Sequence, residues 1–221
     1  MRLYPIMMNL QGKKVVVIGG GEVAHRKITG LLKTGALITV ISPKLEQRLE
    51  ALAAEERIDW IAEPFHASIL DAFPEIVLIF GATNDRQVNL TIYESAVRRR
   101  ILCNIADVPD LCSFIVPAVI TQGELMIAVT TGGSSPALAR RIRQDLEKRF
   151  GPEYAELTKV LGELRKLILS AGGPSSENRQ VFRDIVDSEL LIALRENDRK
   201  KVLDILRSIL PDYIDPQNAV E

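Results

Sequence analysis

Apolar positions in the first half of the chain switch repeatedly between short unbroken runs and helical spacing. Lys13–Ile18 holds the contiguous Val15, Val16, Val17 and Ile18 and reads as a buried strand. Glu22–Lys33 follows with Val23, Ile28, Leu31 and Leu32 at helical spacing, and Gly35 ends it. Ala36–Ile41 predicts a second strand that stops at Ser42-Pro43. Leu45–Arg57 predicts a helix and Ile58–Ala62 a third strand, while Phe65–Phe73 reads as a short helix or loop. Glu75–Gly81 is a further buried strand that runs into Ala82-Thr83-Asn84-Asp85. Arg86–Arg100 is an amphipathic helix with a basic end, and Ile101–Ile105 a strand ending at Ala106-Asp107-Val108-Pro109. Strands alternating with helices at this spacing imply βαβ units and an α/β fold with a parallel sheet. Ligands of such sheets sit outside the carboxyl ends of the strands. Gly19–Glu22, Ser42, Thr83-Asn84 and Asp107 would all line that edge.

Beyond Cys112 the pattern changes. Ser113–Ile120 and Glu124–Thr131 are β-rich runs joined at Thr121-Gln122-Gly123, which predicts an antiparallel hairpin. A loop through Thr131-Gly132-Gly133 leads to a helix with Pro136 in its first turn, ending near Phe150. The remainder reads as helices over Tyr154–Leu169, Arg179–Leu194 and Asp198–Ile209, with a break at Gly172-Gly173-Pro174 and a polar, frayed tail from Pro211. The expected division is 1–112 for the nucleotide half, 113–150 for the hairpin and its helix, and 151–221 for an all-helical C-terminal region. A hairpin plus one helix cannot easily bury both faces, which points to pairing between two copies of the chain.

Composition narrows the class. The chain has 221 residues, 47% hydrophobic and 26% charged, with net charge −1. Nothing global favours nucleic acid or a membrane surface, and no apolar run reaches the ~18 residues of a membrane span. The N-terminus lacks the pattern of a secretory signal. Cys103 and Cys112 fit neither a redox pair nor a zinc site, and the reading is of a cytoplasmic protein in a reducing compartment.

Gly19-Gly20-Gly21 after the first strand is the most informative motif. Gly19 and Gly21 fit the first two positions of the dinucleotide fingerprint, and Ala24 takes the third in its looser form. Glycines there allow a tight turn and a close approach of pyrophosphate, which the next helix's N–H groups receive. The alternative is a plain strand–helix turn. The second strand's end lacks the acid that usually holds a ribose: Ser42 stands there, and Lys44 reads either as a 2′-phosphate partner for NADP or as a solvated lysine. Asp107 reads as a general base at a pocket rim or as a turn residue. Arg26-Lys27 and Arg140, Arg141 and Arg143 read as carboxylate holders or as solvated helix faces. His25 and His66 are the only histidines, with no partners at ligand spacing, so no metal site is expected.

Together these residues resemble the precorrin-2 dehydrogenase family, the sirohaem-synthase N-terminal module and its stand-alone relatives, some of which are also sirohydrochlorin ferrochelatases. The resemblance rests on Tyr4-Pro5-Ile6, on Gly19 through Lys27, on Cys103-Asn104-Ile105-Ala106-Asp107-Val108-Pro109, on Ser113 through Ala118, and on Thr131 through Arg140. It spans Met1 to Phe150. It implies a Rossmann-type NAD-binding domain, a dimerisation region, a helical domain and a homodimer. The implied reaction oxidises precorrin-2 to sirohydrochlorin with NAD⁺; some members then insert Fe²⁺ through the macrocycle's own nitrogens. By position, Asp107 takes the catalytic role. Gly19, Gly21, Glu22, Val23, Ser42, Pro43, Thr83 and Asn84 fall at the cofactor, and the family's second-strand end also lacks the acid. Arg26, Asn104, Thr131, Arg140 and Arg141 fall to the polycarboxylate substrate. His25 stands where relatives often carry an acid, and Thr131 where some carry a phosphorylated serine. With no methyltransferase domain in this sequence, a separate enzyme is expected to supply precorrin-2. A nucleotide-sensing regulatory domain without catalysis is the alternative, and a chelatase that has lost cofactor use is a second.

Overall fold

The computed structural model describes residues 3–172 and 174–220. The described residues form two compact units, one spanning Tyr4–Val116 and the other running from Pro117 to Val220.

The first unit is a five-stranded parallel sheet in the order β3-β2-β1-β4-β5. Its strands are β1 (Lys14–Ile18), β2 (Leu37–Ile41), β3 (Asp59–Ile61), β4 (Ile76–Gly81) and β5 (Leu102–Ile105). The helices are α1 (Glu22–Leu32), α2 (Gln47–Ala54) and α3 (Arg86–Arg99). The unbroken apolar strands are explained by burial on both faces, since successive side chains point to opposite sides. Val15, Val17, Ile38, Val40, Leu78 and Phe80 pack with Ala24, Ile28 and Leu31 of α1 and Leu49 of α2. Val16, Ile18, Ile41, Ile79, Cys103 and Ile105 pack with Ile92 and Ala96 of α3 and with Ile69 and Leu70. The latter two lie in a 3₁₀ helix, Ala67–Ala72, within the stretch whose form the sequence left open.

Register brings the strand ends level. Ile18 pairs with Ile41 on one side and Gly81 on the other, and Gly81 pairs with Ile105. The turns after β1, β2, β4 and β5 therefore share one edge. Strand order reverses across β1, between β2 and β4, which is the switch point where such sheets bind ligands.

Asp85 fixes the start of α3: its Oδ1 accepts from the backbone N–H groups of Gln87 (2.8 Å) and Val88 (3.1 Å). Asp85→Ala is expected to cost about 1 kcal/mol, read as a lower denaturant midpoint. Cys103 is a core residue, and burial pushes its thiol up to about 12. The unfolded thiol ionises near 8.5, so the native state holds its proton more tightly. The stabilisation is full below that pH and is lost as pH rises toward 12. Cys103→Val should flatten this alkaline decline in thermal unfolding measured between pH 8 and 11.

The second unit opens with an antiparallel hairpin, β6 (Ala118–Gln122) and β7 (Leu125–Val129). Its first strand starts later than Ser113, because Ser113 is tied to β5: its N–H donates to the Cys103 carbonyl at 2.8 Å, and its hydroxyl accepts from the Cys103 N–H at 2.7 Å. The turn is Gly123-Glu124, starting two residues beyond the expected Thr121, with Gly123 at φ +58°. Helix α4 (Pro136–Arg149) follows, then α5 (Glu153–Ser170), α6 (Ser175–Asp187), α7 (Leu190–Arg195), α8 (Arg199–Ile209) and α9 (Gln217–Val220). The single helix expected over Arg179–Leu194 is two. Ser188 interrupts it: its hydroxyl donates to the Ile185 carbonyl (2.7 Å) and accepts from the Leu190 N–H (3.2 Å), competing with the helical ladder. The tail is not frayed, because Ile214 and Ala219 are buried with Val160, Leu164, Ile185, Leu190 and Leu206 in one apolar core. Of the expected Gly172-Gly173-Pro174 break, Gly173 lies outside the described residues; Gly172 has φ +75°. Among the described residues, no helix is long and apolar enough to cross a membrane.

Candidate dinucleotide-binding and active site

The glycine turn divides its labour residue by residue. Gly19 has φ +120°, and a Cβ there would lie 2.2 Å from the Ala82 carbonyl oxygen, so the turn after β1 touches the turn after β4. Gly20 is packed against the loop after β2, where a Cβ would lie 2.0 Å from the Lys44 carbonyl oxygen and 2.8 Å from Ser42 Oγ. Gly21 faces open space, with nothing within 4 Å of an added Cβ. It is the N-cap of α1, and the first helical bond runs from His25 N–H to its carbonyl at 3.0 Å. The N–H groups of Glu22, Val23 and Ala24 thus precede the ladder, beside an open backbone face. Ala24 is fully buried against the sheet, the close packing its place in the fingerprint requires. These features fit a pyrophosphate. The close approach of the Lys44 carbonyl to Gly20 is not encoded in a spacing rule that uses only two of the three glycines.

Ser42 is buried, and its hydroxyl donates to the Lys44 carbonyl at 2.7 Å; Trp60 Nε1 donates to its carbonyl at 2.8 Å. Its proton shapes the loop that backs Gly20, while Pro43 and Lys44 are exposed. An acid does stand near this edge, four residues past Ser42. Glu46 donates its N–H to the Gly20 carbonyl at 2.8 Å, and its carboxylate lies 3.7 Å from His25 Nδ1. That helix-start position explains why a search at the strand end misses it. Thr83 knots the turn after β4: its hydroxyl donates to Asn89 Oδ1 (3.0 Å) and accepts from Asp85 N–H (3.2 Å). Asn84 beside it is exposed.

Asp107 is exposed and adopts φ +60°, the left-handed region. Hydrogen bonds on both sides hold it there. Ala106 N–H donates to Gly81 O at 2.8 Å, and Val108 N–H to Ile105 O at 3.3 Å. Cys112 Sγ, which accepts from Ile105 N–H at 3.3 Å, lies 3.3 Å from Val108 O. Aspartate enters this region more readily than most L residues, and Glu56, Glu75, Arg100 and Asn197 share it in this chain. Asn104 is buried, donating to Phe114 O at 3.0 Å and accepting from Lys27 Nζ at 3.3 Å. Arg26 is exposed on α1.

Three predicted substrate residues lie in the second unit. Thr131 Oγ1 accepts from Ser135 N–H at 2.9 Å, and Ser135 Oγ caps α4 by accepting from Leu138 N–H at 3.2 Å. Arg140 is exposed, and Arg141 pairs with Asp145 at 3.1 Å. Among the described residues, no group of three or more His, Cys, Asp or Glu side chains could hold a metal ion.

The family model described as putative NAD(P)-binding matches residues 6–118, about half of the chain, and that described as sirohaem biosynthesis protein, central, matches residues 122–149. The chain belongs to the precorrin-2 dehydrogenase family of sirohaem biosynthesis proteins. Siroheme synthase of Methylobacillus flagellatus is 34% identical over 93% of this chain and 44% of its own length. Siroheme synthase 1 of Aeromonas salmonicida is 37% identical over 86% of this chain and 40% of its own. The chain therefore spans less than half the length of these relatives. The solved structure of SirC, precorrin-2 dehydrogenase, superposes with TM-score 0.78 at 28% identity, covering 94% of this chain and 98% of that one. The family's fold and its NAD(P)-binding domain agree with the sheet order and glycine turn described above.

Proposed function

We propose that this protein oxidises precorrin-2 to sirohydrochlorin, transferring a hydride to NAD⁺ and releasing a proton. The observation that carries this reading is that the glycine turn after β1 and the exposed Asp107 after β5 end on one edge of one sheet. NAD⁺, when bound, supplies the hydride acceptor. The chain's own groups do the rest. The N–H groups of Glu22 to Ala24 receive pyrophosphate, the open face of Gly21 lets it approach, and the turns at Ser42-Pro43 and Thr83-Asn84 flank the ribose side. Asp107 takes the proton lost from the macrocycle as the hydride leaves, a base role that requires a carboxylate at the pocket rim. Arg26 and Asn104 of the first unit hold polar groups of the substrate, and Thr131, Arg140 and Arg141 of the second are given the same role by the family resemblance alone.

The proposal includes a cytoplasmic homodimer formed through residues 113–150, with 1–112 and 151–221 as its flanking domains. Exposed Val119 and Met126 on the hairpin support a covered face there. It also includes Fe²⁺ insertion into the product, with Asp107 accepting protons displaced from the macrocycle. The test is anaerobic: purified protein, enzymatically made precorrin-2 and NAD⁺, with the tetrapyrrole spectrum and NADH followed together. Both products should appear in step, and Fe²⁺ added to the same cuvette should then yield sirohaem. No turnover with NAD⁺ or NADP⁺ overturns the oxidoreductase reading and favours a nucleotide sensor.

A further inference from the structure

Lys27 lies on α1, four residues past Val23 and therefore on the same helix face. Its ammonium is 3.3 Å from Asn104 Oδ1 and 5.5 Å from the centroid of the Phe80 ring. Asn104 is itself fixed, donating to Phe114 O at 3.0 Å with Cys112 Sγ 3.6 Å away. An ammonium has three N–H donors, and here it meets one neutral amide oxygen and a ring face. Among the described residues, no carboxylate oxygen lies within 4.0 Å of the Lys27 ammonium.

The charged and titratable groups facing it are Arg26 on its own helix, Asp107 beyond β5, and Cys112. Burial, then Arg26, pushes the Lys27 amine below its ordinary value, while Cys112 and Asp107 push it up. The contrast with the other basic residues is plain. Arg141 and Arg143 are paired with Asp145 and Glu147, and Arg26 and Lys44 are exposed. Lys27 is a partly desolvated cation on the ligand edge without a counter-ion, an arrangement that costs free energy until an anion arrives.

We propose that Lys27 is a substrate-binding residue that receives a carboxylate of the tetrapyrrole beside Asp107, with Asn104 holding its ammonium in place. This rests on the dehydrogenase reading above. The cofactor's phosphates are received earlier, at the N–H groups of Glu22 to Ala24, which leaves the Lys27 ammonium for a different anion. The inference singles out Lys27 from the Arg26-Lys27 pair, because it alone of the two is partly desolvated and positioned by a buried residue.

The test compares full-length wild type with Lys27→Met and Lys27→Arg. Lys27→Met should raise the KM for precorrin-2 by about tenfold or more, the scale of losing one charge-assisted contact. NAD⁺ affinity by calorimetry should stay within about twofold, which also reports that the variant is folded. Lys27→Arg should restore most of the activity. Wild-type kcat/KM should fall on the alkaline side as the ammonium loses its proton, and that limb should vanish in Lys27→Arg, whose guanidinium stays charged. A change confined to NAD⁺ affinity would assign the anion to the cofactor and overturn the inference. Unchanged KM values and an unchanged pH profile would reduce Lys27 to packing. If wild type turns over no precorrin-2, the dehydrogenase reading fails on its own, and fluorescence titration with the polycarboxylate porphyrin uroporphyrin then decides. Tighter binding by wild type than by Lys27→Met upholds the carboxylate contact, and equal or absent binding overturns it.

Discussion

Asp107→Asn is expected to lower kcat for precorrin-2 oxidation by roughly 10²–10⁴-fold, the range for removing a positioned general base. NAD⁺ binding and the unfolding midpoint should change little. The choice of asparagine matters because position 107 sits at φ +60°, a region that asparagine and aspartate enter more readily than other L residues. Asp107→Ala loses the carboxylate and also places a residue with no local hydrogen-bonding side chain in a left-handed turn, adding a cost on the order of 1 kcal/mol. The two variants together separate base chemistry from backbone strain. Equal losses of activity with unequal stability would identify the carboxylate as the working group. Full activity in Asp107→Asn would remove Asp107 from the proton step, and with it the account of how iron insertion disposes of its protons.

The second large effect concerns neighbouring glycines that should fail differently. Gly20→Ala drives a Cβ to within 2.0 Å of the Lys44 carbonyl oxygen, a backbone atom that cannot swing aside. A loss of at least about 1–3 kcal/mol of stability is expected, as for other overpacked sites. Gly21→Ala meets nothing within 4 Å, and its backbone, φ −98° and ψ −170°, suits any residue. The exchange should cost at most about 1 kcal/mol through the weaker helix cap. Yet the added methyl occupies the face where pyrophosphate would lie, so NAD⁺ affinity should fall by about tenfold or more. Differential scanning fluorimetry with and without NAD⁺ distinguishes them: Gly20→Ala melts early in both conditions, whereas Gly21→Ala melts near wild type alone but loses the shift on adding cofactor. A normal shift in Gly21→Ala would move the cofactor away from the glycine turn.

The sheet was legible in the sequence because both of its faces are buried. A strand covered on both sides favours apolar residues at successive positions, so Val15–Ile18 and Ile76–Phe80 announce themselves without reference to anything distant. The glycine turn was legible for a similarly local reason, since φ +120° at Gly19 and the bare face of Gly21 are demands on single residues. The helical tail departs from the sequence pattern at Ser188 and after Pro211, where the deciding contacts are a hydroxyl's choice of backbone partner and the burial of Ile214 and Ala219 against helices up to about sixty residues earlier.

By itself, then, the sequence determined the parallel α/β half, the glycine turn after its first strand and the family to which the chain belongs, because each rests on patterns read within a few residues. Only the tertiary structure decided that Gly20 exists for the Lys44 carbonyl, that the Ser42 hydroxyl is turned inward, that Glu46 stands beside His25, and that Lys27 of α1 meets Asn104 of β5. Those pairings join residues up to 77 positions apart. Their partners are set by sheet order and by register at the strand ends, which no local spacing encodes.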